Sequence, residues 1–177
     1  IGEVSENRLA EMLAQMEDSQ VVRLAYHAND PNVGMSLSAN YDYYKMFLCD
    51  TGLFVTLAFW DKDYTENTIY TQLLSDKFAA NLGYVYENLV AQMLVAAGNR
   101  LFYFTFEKDD KHYYEIDFLL SRGKKICPIE VKSSNYRTHT SIDQFIDRFS
   151  ERVGTPYILH TKDSTHENAL QGLPVYM

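Results

Sequence analysis

The chain has 177 residues, 46% of them apolar, with 16 Lys/Arg against 24 Asp/Glu and a net charge of −8. That length suffices for one large domain or two small ones with a real core, and the acidity argues against a generic nucleic-acid binder. The longest apolar run, residues 52–60, falls well short of the roughly 18 residues of a membrane span, and no signal-peptide pattern is present, so a cytoplasmic protein without a membrane partner is expected.

The charge is uneven. Residues 1–82 carry 5 Lys/Arg against 12 Asp/Glu, and residues 83–177 carry 11 against 12. A local basic cluster of Arg122, Lys124, Lys125, Lys132 and Arg137 could tolerate a phosphate backbone, and a solvated hairpin tip explains it equally well. Cys49 and Cys127 form no C-x-x-C and sit in apolar runs, which suits reduced, buried thiols. The first residue is Ile, as expected of a piece of a longer chain.

Leu9, Met12, Leu13 and Met16 recur at helical spacing and predict a helix over residues 3–18. Val22, Leu24 and Tyr26 alternate against Val21 and Arg23, giving a strand over 21–26, followed by a loop with Asn29, Pro31, Asn32 and Gly34. Helix, short strand and turn in that order have the shape of a winged-helix remnant, and also of an ordinary α+β connection. Residues 42–59 are rich in aromatic and aliphatic side chains. They read as a strand through Leu48, a turn or helix start at Asp50-Thr51-Gly52, and a helix from Leu53, with Asp50 as its cap. The polar stretch 61–67 is the best linker. It divides an N-terminal α+β subdomain, residues 1–66, from a second domain, residues 67–177.

A helix is predicted over 83–97, with Gly98 as its stop. At about 100° per residue, Val90, Ala91 and Leu94 fall within about 60° of Glu87. Glu87 therefore lies on the apolar stripe, where a carboxylate is costly without a partner; the alternative is an edge position reaching solvent. A strand over 101–106 and a charged turn over 107–112 follow.

Residues 115–132 then read as a hairpin: Glu115-Ile116-Asp117-Phe118-Leu119-Leu120, a polar turn containing Gly123, and Ile126-Cys127-Pro128-Ile129-Glu130-Val131-Lys132. Strand alternation sends Glu130 and Lys132 to one face and Ile129 and Val131 to the other. Asp117 on the partner strand is brought near them. Two carboxylates and a lysine are what a magnesium-dependent phosphodiesterase needs: oxygen donors for a hard cation and an ammonium to position water. A surface hairpin with solvated charges is the bland alternative.

Ile142, Phe145, Ile146, Phe149 and Val153 predict another amphipathic helix, with Gln144 and Arg148 flanking its apolar face. A strand over 156–160 and a last apolar segment over 173–177 complete the chain. The second half thus reads helix, three strands, helix, strand, which implies a parallel pair in a mixed sheet.

That order, with an acid on the first helix, Asp on the second strand and E-x-K on the third, resembles the PD-(D/E)XK nuclease fold, its motif falling on Glu87, Asp117, Glu130 and Lys132. Ile116 stands where the motif's proline would be. The chain also looks like the domain of unknown function that forms the C-terminal part of a prokaryotic family of AAA-type ATPases. The resemblance rests on Lys45-Met46-Phe47-Leu48-Cys49-Asp50-Thr51-Gly52-Leu53, on Gly83-Tyr84-Val85-Tyr86-Glu87-Asn88-Leu89-Val90 and on Glu115-Ile116-Asp117-Phe118. It continues through Pro128-Ile129-Glu130-Val131-Lys132-Ser133 and Leu173-Pro174-Val175-Tyr176-Met177. It implies an α+β (α/β) fold: a mixed β-sheet flanked by helices, with a restriction-endonuclease-like core of order αβββαβ behind an N-terminal helical or winged subdomain. It also implies an N-terminal AAA-type ATPase module as partner. No G-x-x-x-x-G-K-[ST] is present here, so no nucleotide site is expected.

Two functions follow as expectations. In the first, Asp117 and Glu130 ligate Mg²⁺, Glu87 supports the ion or a second site, Lys132 positions water, Gln144 hydrogen-bonds substrate or water, and nucleic acid is cleaved. In the second, the domain is a catalytically inactive accessory that binds protein or nucleic acid for the ATPase. The five histidines show no zinc spacing.

Overall fold

The computed structural model describes residues 6–60, 83–167 and 169–176. Among them the order is α1 (Glu6–Asp18), β1 (Val22–Ala28), a 3-10 turn (Met35–Leu37), β2 (Ala39–Leu48), α2 (Thr51–Ala58) and α3 (Gly83–Ala96). There follow β3 (Phe102–Asp109), β4 (His112–Ile116), β5 (Phe118–Arg122), β6 (Lys125–Val131), α4 (Thr140–Arg148), β7 (Tyr157–His160), β8 (Thr165–Glu167) and β9 (Leu170–Pro174).

The strands form two mixed sheets, β2-β1-β3-β4 and β5-β6-β7-β9-β8. In the first, β1 runs antiparallel to β2 and parallel to β3. In the second, β6 and β7 are the expected parallel pair across a helix. The fold is therefore α+β, with four α-helices among the described residues.

Side-chain alternation divides the apolar residues between two cores. On one side, Val90 and Ala91 of α3 pack with Ala25, Phe47, Tyr103, Phe118, Leu120, Cys127, Ile129 and Val131. On the other, Ile142 and Phe145 of α4 pack with Phe104, Phe106, Ile116, Leu119, Ile126 and Ile158. Phe118, Leu119, Ile126, Ile142 and Phe145 are sealed from solvent. Each such side chain contributes about 1.5–3 kcal/mol relative to exposure.

The central hairpin differs from the sequence expectation. The charged turn expected over 107–112 is mostly strand, because β3 continues to Asp109 and β4 pairs back onto it. Asp117 lies on neither strand; it is a bend between β4 and β5. Ile116 faces the α4 core and Phe118 the α3 core, so the chain passes from the first sheet to the second at this residue. The helix expected to run on to Val153 ends at Arg148, and β8 was not foreseen. Asp50 caps α2 as expected, accepting from the Leu53 amide. Gly98 adopts φ +80° just past α3, the conformation that ends a helix cheaply only at glycine. Both cysteines are free. The 61–67 linker, and with it the 66/67 boundary, lies outside the described residues.

Candidate functional site

The bend at Asp117 is stapled from β6. Its Oδ2 accepts the Val131 amide at 2.7 Å, taking the place of the next ladder bond. Its Oδ1 faces the Lys45 ammonium at 3.8 Å. Lys45 comes from β2, where its cross-strand partner is the small Ala25. It lies over the Tyr103 ring, and its Nζ is 2.5 Å from Glu115 Oε1 and 3.7 Å from Glu87 Oε2. One ammonium is thus shared by three carboxylates on α3, β4 and the bend.

Burial works against the Lys45 charge, and Asp117, Glu115 and Glu87 more than offset it, holding the ammonium above its ordinary value. Burial raises the Glu87 carboxyl; Lys45 lowers it and Glu115 raises it again. Asp117 is pushed up to about 7, first by burial and then by the Glu87 charge, against the pull of Lys45 and the Val131 amide.

Glu130 forms the other half of the cluster. Its Oε1 is 2.5 Å from Lys132 Nζ, and its Oε2 is buried without a hydrogen-bond partner. Ile129 and Val131 enter the α3 core, so alternation points Glu130 and Lys132 to the opposite face. Asp117 joins the two groups. Its titration feels Glu87 and Glu130, and that of Glu87 feels Lys132. The four residues of the E…D…E-x-K pattern are therefore divided between two ion-pair groups, Glu87 and Asp117 with Lys45 and Glu130 with Lys132, with Asp117 at the edge between them. Gln144 is exposed on α4, and among the described residues no hydrogen bond links it to these acids.

Asn88, sealed inside α3, fixes where Lys45 stands. Its side chain accepts the Leu48 amide at 2.8 Å and donates to the Leu48 carbonyl and to Thr51 Oγ1, each at 3.0 Å. It ties α3 to the end of β2 and the start of α2.

Lys45 and Glu115 were not among the site residues read from the sequence. A signal was present: Lys45 is the sole Lys or Arg between Arg23 and Lys62, set among tyrosines, and Glu115 lies one strand repeat before Asp117.

The donor chemistry suits a hard cation. The donors are oxygens, one buried carboxylate oxygen lacks a partner, and two acids are held up by burial and repulsion. As the side chains stand, no trio of His, Cys, Asp or Glu among the described residues encloses a metal ion. Lys45 has to give way for a cation to sit beside Asp117.

The molecule is thus a mixed α+β domain with a half-buried acidic cluster where one sheet passes into the next. It belongs to the family described as Domain of unknown function (DUF4143), whose family model matches residues 82–175. Searches of curated proteins and of solved structures returned no match. The matched stretch contains Glu87, Glu115, Asp117, Glu130 and Lys132, whereas Lys45 lies outside it.

Proposed function

We propose that this is a nuclease-like domain with a Mg²⁺-dependent phosphodiester-cleaving centre at Asp117 and Glu130. The observation that carries this reading is the unpartnered, buried Oε2 of Glu130, whose other oxygen is ion-paired to Lys132. A buried charged oxygen without a partner is costly, and a cation would relieve that cost. Asp117 and Glu130 would hold the ion and Glu87 would support it. The ion would supply charge neutralisation and a Lewis acid at the scissile phosphate. Lys132, ion-paired to Glu130, would orient an attacking water. The order α3, four strands from β3 to β6, α4 and β7 has one strand more than αβββαβ and keeps its helix, strands, helix, strand sequence, which supports a restriction-endonuclease-like core. The resemblance to C-terminal parts of AAA-type ATPases supports an ATPase module as partner.

A second reading has its own observation. Lys45 already gives Glu87, Glu115 and Asp117 a shared positive charge, so the cluster can persist without metal as a scaffold. An accessory domain contacting protein through its acidic first half fits this.

Incubation of the purified chain with single- and double-stranded DNA and RNA in Mg²⁺ or Mn²⁺ separates the two. The catalytic reading expects cleavage that is lost in Lys132→Ala and Asp117→Asn. No cleavage above those variants points to the accessory role.

A further inference from the structure

The loop after β6 and the β7–β8–β9 strands line a half-open cavity of about 430 Å³ that none of the acids of the cluster lines. His160, at the end of β7, is 1% exposed and stacks on Tyr136 with ring centres 4.4 Å apart. Its Nδ1 accepts the Lys162 amide at 3.1 Å, so the proton of the neutral ring is on Nε2. Burial pushes the His160 pKa down, which keeps the ring neutral. The Nε2–H is a buried donor without an acceptor, an arrangement that costs free energy until an acceptor arrives.

Gly172 lets the Thr165 hydroxyl and the His160 ring close in on its backbone. A Cβ there would lie 2.8 Å from His160 Nε2 and 2.1 Å from Thr165 Oγ1, so both polar atoms meet above a residue that must have no side chain. Arg137 lines the same cavity, its guanidinium 5.9 Å from the centre of the Tyr136 ring. Glu167 is the opposing charge, and His139 is committed to it at 3.8 Å and to Asp143 at 2.8 Å. An N–H donor, a hydroxyl and a guanidinium together call for an acceptor-rich anion. A metal ion at Nε2 would require the proton to move to Nδ1 at the cost of the Lys162 amide bond.

We propose that this cavity binds a phosphate monoester, with His160 Nε2–H and the Thr165 hydroxyl donating to its oxygens and Arg137 supplying the countercharge. The volume leaves room for a nucleoside beside the phosphate. The ligand is then a free nucleotide or the 5′-phosphorylated end of a nucleic acid. This site stands whether or not the Asp117 centre cleaves anything.

The test is calorimetric titration of the 177-residue chain with inorganic phosphate, then 5′-AMP, then one oligonucleotide with and without a 5′-phosphate. One saturable site is expected. Arg137→Gln and Thr165→Val, both at exposed positions, should each weaken it by roughly tenfold or more. The His160 Nε2–H resonance should shift on saturation. Tighter binding of AMP than of phosphate identifies a nucleotide; a preference for the phosphorylated oligonucleotide over AMP identifies a strand end. No saturable binding, equal affinity in both variants, or an unmoved His160 resonance would each overturn the proposal.

Discussion

Lys45 and Glu115 stand on the two outer strands of the four-stranded sheet, and their side chains meet over the two strands between them, Nζ to Oε1 at 2.5 Å. That contact joins the N-terminal strands to the part of the chain matched by the family model. It also places a positive charge against Glu87 and Asp117, so the acidic cluster depends on a residue outside the matched stretch.

Removing that charge should be felt. Lys45→Met leaves three carboxylates together, two of them half-buried or deeper, and is expected to cost roughly 1–3 kcal/mol at pH 8. At pH 5 the same change should cost less, because Glu87 and Asp117 take up protons more readily once the ammonium is gone. Urea unfolding at the two pH values measures this. An equal loss at both would show that Lys45 acts by packing alone.

Asp117 gives a second pH signature. Its folded pKa, about 7, lies above the ordinary 3.8. Between those values the folded chain binds a proton that the unfolded chain has released, so this group makes stability fall as pH rises. The penalty is absent below about pH 4, grows toward pH 7 and is complete above it, reaching a few kcal/mol by linkage. Asp117→Asn keeps an acceptor for the Val131 amide and removes the charge. The stability difference, variant minus wild type, is expected to move in the variant's favour from pH 5 to pH 8. A pH-independent difference would contradict the raised pKa.

Asn88 supports the site from within α3. Asn88→Ala would strand the Leu48 amide and carbonyl at a half-buried position and free the start of α2. The expected loss is about 2–4 kcal/mol. Because Leu48 closes the strand that carries Lys45, the pH dependence seen with Lys45→Met should appear in part as well. Thermal unfolding across pH checks both. A loss below about 0.5 kcal/mol would mean water replaces these bonds without cost.

Much of this fold was legible because its signals are local. Gly98 stops α3, Asp50 caps α2, Ile142 and Phe145 share a helix face, and Ile129 and Val131 alternate with Glu130. Those patterns need only neighbours in sequence. The bend at Asp117 was not legible. The run from Ile116 to Leu120, apolar but for Asp117, looks the same whether it is one strand or two, and only pairing with β3 on one side and β6 on the other divides it. Lys45 was missed for a related reason. A lysine on a strand is usually solvated, and nothing local reveals that Glu115, 70 positions away, stands opposite. The spacing of Glu87, Asp117, Glu130 and Lys132 led to the expectation of one shared pocket. It did not reveal that these residues fall into two ion-pair groups, nor that Gln144 is turned to solvent.

The proposed centre is tested most directly by Mn²⁺ titration, followed by electron paramagnetic resonance of the free ion, with wild type, Asp117→Asn and Lys45→Met side by side at pH 8. A cation centre at Asp117 and Glu130 predicts saturable binding by the wild type, loss of that binding in Asp117→Asn, and tighter binding in Lys45→Met, where the competing ammonium is gone. Absence of binding by both wild type and Lys45→Met, or binding unchanged in Asp117→Asn, would contradict it.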